Sequence, residues 1–312
     1  MAKREITERI VEMTRPDLKT RLKQQGVFLL DGAMGTQLFA RGVAPGTCSD
    51  VMNVEAPQIV LDIHRTYLEA GSDAVITNTF GANRYTLARH GHAAKAQQIA
   101  KAGAEVARRA AGQDKYVLGD IGPTGDFLEP LGTLKADELR EAFAAQAVGL
   151  RDGGVDGFII ETMTALDEIE AAIQAVKSID SGLPILASMS FDKVADGYRT
   201  MMGVDVASAV TKIVSLDVDG VGFNCGTATL DEYVGLAQQY VAAARATGKD
   251  AIVFAEPNAG KPELTDGQAV YRVTPNEFAE AVQKIFSGGI HVIGGCCGTA
   301  PAFIAAVAKR LR

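Results

Sequence analysis

The sequence predicts an α/β protein, a single (β/α)8 TIM barrel with an extra N-terminal helix. Three observations carry that prediction. Eight short, nearly continuous apolar runs recur along the chain, segments of helical length separate them, and polar or glycine-rich residues gather just after each run. Continuous apolar runs suit parallel strands covered on both faces. Eight alternations are the count of the barrel, which keeps its chemistry at the C-terminal ends of its strands. The competing architecture, an open doubly wound sheet, usually carries Gly-x-Gly-x-x-Gly after its first strand. Here that turn reads Asp31-Gly32-Ala33-Met34-Gly35-Thr36.

The elements follow in chain order. A helix at about 16–25 precedes the first strand and is placed to plug the barrel's bottom; residues 1–26 read as an N-terminal helical extension. The first run, 27–31, ends in Asp31-Gly32, and the helical segment 57–70 after it stops at Gly71. The second run, 74–78, ends in Asn78-Thr79-Phe80 and leads to the helix 94–111. The third, 116–120, ends in Asp120-Ile121-Gly122, before a helix over 136–153 that Gly153 terminates. The fourth, 157–161, ends in Glu161-Thr162 and precedes the helix 165–178. The fifth, 184–189, runs into Ser190-Phe191-Asp192, and the sixth, 220–224, ends in Asn224-Cys225-Gly226 before the helix 230–247. The seventh, 251–256, ends in Glu256-Pro257-Asn258, and the eighth, 291–294, ends in Gly295-Cys296-Cys297. Pro275 and Pro301 fit the first positions of helices over 275–287 and 301–311, and Gly288 fits a C-terminal stop.

Bulk properties narrow the function. A chain of 312 residues with 47% hydrophobic content suits one barrel domain spanning 1–312. A net charge of −7 argues against nucleic acid as a partner. No apolar run approaches the ~18 residues of a membrane span. The segment Met1–Arg9 mixes charges and lacks an apolar stretch, so no signal peptide is expected. Four cysteines do not make a disulfide framework in a chain of this size; a reducing cytoplasm is expected, where clustered cysteines serve as ligands or catalysts.

Three of those cysteines, Cys225, Cys296 and Cys297, follow the sixth and eighth runs. Side chains of alternate barrel strands share a layer, so these three can converge. Adjacent strand residues face opposite ways, and both Cys296 and Cys297 reach one ion only if the chain turns there, which Gly294, Gly295 and Gly298 permit. Three thiolates with an open fourth position suit a zinc ion that activates a substrate. Asn224 and Asn258 are candidate oxygen donors to the fourth position, and Cys48 reads as a small buried hydrophobe. Asp31 and Glu161 are candidate ligand-binding carboxylates; the alternative is that they cap the following helices. His64, His90, His92 and His291 read as structural or exposed.

Together, Asp31-Gly32-Ala33-Met34-Gly35-Thr36, Asn78-Thr79-Phe80-Gly81-Ala82-Asn83, Gly119-Asp120-Ile121-Gly122-Pro123-Thr124-Gly125, Asn224-Cys225 and Gly294-Gly295-Cys296-Cys297-Gly298-Thr299 resemble the homocysteine S-methyltransferase family. The resemblance runs from about Val27 to the C-terminus. Glu256-Pro257-Asn258-Ala259-Gly260-Lys261-Pro262 and the turn 78–83 look most like the homocysteine module of cobalamin-dependent methionine synthases. The resemblance implies a zinc held by Cys225, Cys296 and Cys297, with the sulfur of L-homocysteine as fourth ligand. It implies that Asp31, Gly32, Thr79 and Glu161 hold the substrate's amino and carboxylate groups. It also implies methyl transfer to the thiol to form methionine. The leading expectation for the donor is methylcobalamin on a separate corrinoid protein, since the chain has no room for a corrinoid-binding domain of its own. Betaine or S-methylmethionine is the alternative donor. A betaine cage wants aromatic faces, and the chain has no tryptophan, leaving Phe80, Tyr85, Phe127, Phe191 and Tyr198 near the top face. A non-catalytic zinc-binding barrel and a lysine-dependent barrel lyase, through Lys193 or Lys261, are the readings from other classes.

Overall fold

The computed structural model describes residues 15–312 apart from 45, 180–181 and 266–267. The first fourteen residues of the expected extension lie outside that range.

Eight parallel strands form one sheet: β1 (Phe28–Leu29), β2 (Ala74–Ile76), β3 (Tyr116–Ile121), β4 (Gly157–Met163), β5 (Ile185–Met189), β6 (Gly220–Asn224), β7 (Ile252–Glu256) and β8 (Val292–Ile293). The order β1-β8-β7-β6-β5-β4-β3-β2 brings the first and second strands to the two ends of the sheet, as in a barrel. The helices that cover it are α1 (Pro57–Glu69), α2 (Ala96–Ala111), α3 (Ala136–Asp152), α4 (Leu166–Ser178), α5 (Val206–Ser215), α6 (Leu230–Ala246), α7 (Pro275–Ser287) and α8 (Pro301–Leu311). The (β/α)8 expectation is met.

The strands' alternation splits the core into two shells. Phe28, Leu30, Ala74, Tyr116, Leu118, Ile159, Leu186, Phe254 and Val292 fill the barrel interior. Val27, Leu29, Val75, Val117, Phe158, Ile160, Ala187 and Phe223 face outward into the helical layer. The short helix Leu18–Leu22, N-capped by Asp17, drives Leu18 and Leu22 into the inner shell. That is the expected plug. Its seat is Gly157, where an added Cβ would lie 2.8 Å from the Leu18 side chain.

The barrel closes through one main-chain hydrogen bond and side chains. β1 and β2 form no ladder. The main-chain link across the seam is Asp73 N–H donating to Leu29 O at 2.7 Å. Two carboxylates supplement it. Asp73 accepts from Leu29 N–H at 2.9 Å, and Asp31 accepts from Ile76 N–H at 3.1 Å. The device at Asp73 recurs: Asp156, just before β4, accepts from Val117 N–H at 2.8 Å, and Asp219, just before β6, accepts from Ile185 N–H at 3.0 Å. Each of these aspartates also meets a cation, Arg312 for Asp73, Arg15 for Asp156 and Lys19 for Asp219.

Several boundaries differ from the sequence pattern. β1 and β8 are two residues long, because the chain leaves the ladder early to build the seam and the mouth. Gly153 and Gly288 end their helices but stay right-handed; the left-handed residue is the next glycine, Gly154 or Gly289. α5, capped by Asp205, is a helix the apolar pattern does not delimit. Two small hairpins, Asp192–Val194 with Gly197–Arg199 and Glu263–Thr265 with Gln268–Val270, rise after β5 and β7. No helix among the described residues is long and apolar enough to cross a membrane.

Candidate metal and substrate site

A cavity of about 1130 Å³ opens at the C-terminal end of the barrel. Cys225 leaves the end of β6 in a left-handed conformation, φ +55°. Its backbone is held on both sides. Its N–H donates to Glu256 O at 3.3 Å, and the buried Tyr233 hydroxyl donates to its carbonyl at 2.7 Å. After β8 the chain is pinned by Gly295 N–H to Asp31 O and Cys296 N–H to Pro257 O, both at 2.9 Å. The expected turn is present, but only Gly298 of the three glycines takes a positive φ, +80°. Gly294 and Gly295 are small because Leu30 and Thr299 press on them.

The result is a cluster of three thiols. Cys297 Sγ lies 3.9 Å from both Cys225 Sγ and Cys296 Sγ, and all three sulfurs lie within 4.8 Å of one another. Tetrahedral zinc with Zn–S near 2.3 Å sets its sulfurs ~3.8 Å apart, so the donor set fits that ion. All four cysteines are free. Cys48 is buried elsewhere, 3.8 Å from Asp50. Hydrogen bonds from Cys225 and Cys296 push the Cys297 thiol far down, while hydrogen bonds with Cys225 and Cys297, together with burial, push Cys296 up. Metal binds these sulfurs as thiolates, and the hydrogen bonds among them favour losing the first proton from the cluster at Cys297.

Asn224 ties the thiols to the carboxylates. Its Oδ1 accepts from Thr162 N–H and Ser188 Oγ, both at 2.8 Å. Its Nδ2 donates to Thr162 Oγ1 at 2.6 Å and Glu161 Oε2 at 3.1 Å, and lies 4.0 Å from Cys296 Sγ. The amide thus turns its N–H₂ side toward the sulfur, and its oxygen is committed to β4 and β5. Asn258 donates to Gly226 O at 2.6 Å, and its buried Oδ1 has no partner among the described residues.

The rest of the cavity floor is acidic. Asp31, Asp120, Glu161 and Glu256 all line it, and among the described residues no lysine, arginine or histidine does. Neither Asp31 nor Glu161 caps a helix: the N-caps that follow are Ala33 and Ala165. Asp120 Oδ1 and Glu256 Oε2 are buried without a hydrogen-bond partner among the described residues. Burial pushes all four carboxyls up, Glu161 to about 8. Such a floor fits a cationic group, which supplies the missing donors.

Gly32 also lines the cavity, and a Cβ there would sit 2.7 Å from Thr299 Oγ1 and 2.9 Å from the Tyr67 ring. Thr79 stands outside the lining. Its buried hydroxyl donates to Asp120 O at 2.8 Å and lies 2.6 Å from Thr77 Oγ1, tying the ends of β2 and β3 together. Of the five aromatics predicted near the top face, Phe80 lines the cavity, while Phe191 and Tyr198 are buried in the core. The sequence reading does not single out Asp120, Glu256, Phe39 or Tyr271 as site residues. Asp120 and Glu256 carry the same signal as Glu161, a carboxylate closing an apolar run. Tyr271 carries none: it reaches the site from the hairpin after β7, where its ring covers Gly298 and its hydroxyl pairs with Cys297.

The four raised carboxyls give the empty protein a defined pH response. Each has a folded pKa above its unfolded value, so between the two the folded state holds more protons than the unfolded one. Stability is then greatest below the unfolded value and falls as pH rises; for Glu161 the window runs from 4.5 to about 8. Thermal melts of metal-free, substrate-free protein should fall by several degrees from about pH 5 to about pH 8. A flat or rising profile would mean that the carboxyls are compensated.

The family profile described as "Homocysteine S-methyltransferase" matches residues 28–311. The chain is 34% identical to the methionine synthase of Mycobacterium tuberculosis (strain ATCC 25618 / H37Rv), over 91% of this chain and 24% of that protein. It is 33% identical to the methionine synthase of Mycobacterium leprae (strain TN), with the same coverage. It therefore spans about a quarter of the length of these relatives. Among solved structures, the homocysteine methyltransferase MmuM from Escherichia coli in its metallated form aligns with a TM-score of 0.75 at 24% identity, covering 94% of this chain and 99% of that one.

Proposed function

The chain belongs to the homocysteine S-methyltransferase family, and from that premise we propose that it transfers a methyl group to the thiol of L-homocysteine, forming methionine, with zinc held by Cys225, Cys296 and Cys297. The observation that carries this reading is the pairing within one cavity of three convergent thiols with an acidic floor that lacks a cation. Homocysteine has the complementary ends, a thiol and an ammonium group.

Zinc bound by the three thiolates would supply Lewis acidity that keeps the substrate sulfur deprotonated at neutral pH. The chain's own residues do the rest. Glu161 and Asp31 take the ammonium group, with Asp120 and Glu256 behind them as further acceptors. Asn224 fixes Glu161 and faces Cys296, setting the span between the ammonium and the sulfur. Gly32 leaves main chain bare for the substrate carboxylate. Holding both ends of the substrate aims the sulfur's lone pair at the mouth, where the methyl donor arrives, and removes much of the orientational cost of the reaction. A purely structural zinc barrel is disfavoured, because such sites are closed by four protein ligands.

For the donor, we favour a methyl-corrinoid carried on a separate protein. The seven exposed large hydrophobics among the described residues, Phe39, Val54, Phe80, Phe127, Leu131, Met201 and Leu264, all fall in the segments between a barrel strand and the covering helix that follows it, Phe39 and Val54 on short helices within that span. Those segments form the mouth side of the barrel, and apolar exposure gathered on one face marks a docking surface. A small sulfonium or betaine donor is the second reading, favoured by Phe39, Phe80 and Tyr271 on the cavity wall. Assays of homocysteine methylation with methylcobalamin, betaine and S-methylmethionine separate the two. Turnover with methylcobalamin supports the corrinoid donor; turnover with betaine or S-methylmethionine alone overturns it.

A further inference from the structure

His64 on α1 is fully buried, and neither of its ring nitrogens has a hydrogen-bond partner among the described residues. A buried imidazole left in that state costs free energy that an aliphatic side chain of similar size avoids. Its Nδ1 lies 4.0 Å from Asp31 Oδ2, the oxygen that also accepts Ile76 N–H. Asp31 is 2% exposed and lines the cavity, so His64 backs the carboxylate from the helical layer. One turn along α1, Tyr67 donates to Ala33 O at 3.1 Å and sits 3.3 Å from Thr299 O, so this helix face already braces the loop that carries Asp31. Burial pushes the imidazole down to about 3, so the ring is neutral and has one N–H to give.

We propose that His64 is a positioning residue for Asp31: with the substrate's ammonium group on the cavity side of Asp31, His64 donates its Nδ1–H to the carboxylate from behind and fixes its orientation. The contact closes from 4.0 Å to hydrogen-bond distance only with substrate in place, as hydrogen bonds of reacting sites commonly tighten in the complex. The proton on Nδ1 is selected by that partner. The inference rests on homocysteine being the substrate, and Asp31 being one of the groups that hold its ammonium.

The test compares His64→Leu and His64→Asn with the wild type, using homocysteine and 4-mercaptobutanoate, which keeps the thiol and the carboxylate but lacks the ammonium. Wild-type turnover of homocysteine establishes the substrate first; its absence would defeat the proposed function before His64 is tested. His64→Leu should raise KM for homocysteine roughly ten- to hundredfold with kcat little changed. It should leave KM for 4-mercaptobutanoate, and the zinc content, as in the wild type. His64→Asn places an amide N–H where Nδ1 stood and should restore most of the lost affinity. A folded His64→Leu protein with wild-type KM for homocysteine overturns the proposal, as does an equal loss for both thiols. If His64→Leu does not fold, the ring ¹⁵N signals of the wild-type protein decide. A protonated Nδ1 that shifts with homocysteine, and not with 4-mercaptobutanoate, supports the proposal; a protonated Nε2 indifferent to both overturns it.

Discussion

Cys297→Ala is expected to strip zinc from the protein and lower kcat/KM for homocysteine methylation by at least roughly 10³-fold, while leaving the fold intact. Cys297 is the sulfur 3.9 Å from each of the other two, and the one whose thiol their hydrogen bonds push down. Without it, two thiols remain, and burial together with their mutual hydrogen bonding holds the Cys296 proton in place. Ligands must be deprotonated to bind, so the loss falls on affinity twice, through ligand count and through proton competition. The fold has no such dependence. Cys297 is only partly buried, and the bond its carbonyl accepts from Ala259 N–H at 2.9 Å survives in alanine. Zinc per chain, with a zinc-edge absorption spectrum before and after homocysteine, checks both halves. In the wild type homocysteine should add a sulfur to the shell. A Cys297→Ala protein that keeps one zinc per chain and turns over normally would remove these cysteines from the chemistry.

Glu161→Gln is expected to separate stability from activity, raising the first and lowering the second. Burial holds Glu161 at about 8, so at higher pH its charge is a cost in the empty cavity, and glutamine removes that cost while still accepting the Asn224 amide. With substrate bound the sign reverses. The ammonium would lose a partly buried anionic partner, worth about 2 kcal/mol or roughly thirtyfold in kcat/KM, mostly through KM. Melting of the metal-free variant above about pH 8, set beside kinetics on homocysteine, reads both effects. A variant that loses activity without the gain in empty-state stability would mean that Glu161 acts through the fold rather than on the substrate.

Much of this was legible before the structure, for physical reasons. A barrel strand needs apolar side chains on both faces, so residues such as Phe158-Ile159-Ile160 announce it locally. A carboxylate or cysteine directly after such a run has few reasons to be there, which is why Asp31, Glu161, Cys225, Cys296 and Cys297 stand out. The same signal marks Asp120 and Glu256, yet nothing local says which strand-end acids share a cavity; that depends on barrel closure. Thr79 carries a strand-end position, but its hydroxyl answers to Thr77 and Asp120, a contact across two strands. His64 reads as a structural histidine on its helix, since its nearness to Asp31 exists only once α1 packs on the barrel. Tyr271 arrives from a hairpin too short and polar to leave a pattern.

The Asp31 seam sets what this fold can become. Asp31 accepts Ile76 N–H in place of the missing ladder between β1 and β2, so a residue facing the ligand is also one of the fasteners that close the cylinder. Glu161, Asp120 and Glu256 lie at or near the ends of strands already paired through their main chains on both sides. No main-chain N–H among the described residues donates to their carboxylates, so exchanging them leaves the closure of the sheet alone. Variation toward new acceptors has open routes at those three positions. At position 31 every trial at new specificity is also a trial of closure, and the range of tolerated side chains there should be far narrower than its place on the cavity floor would suggest.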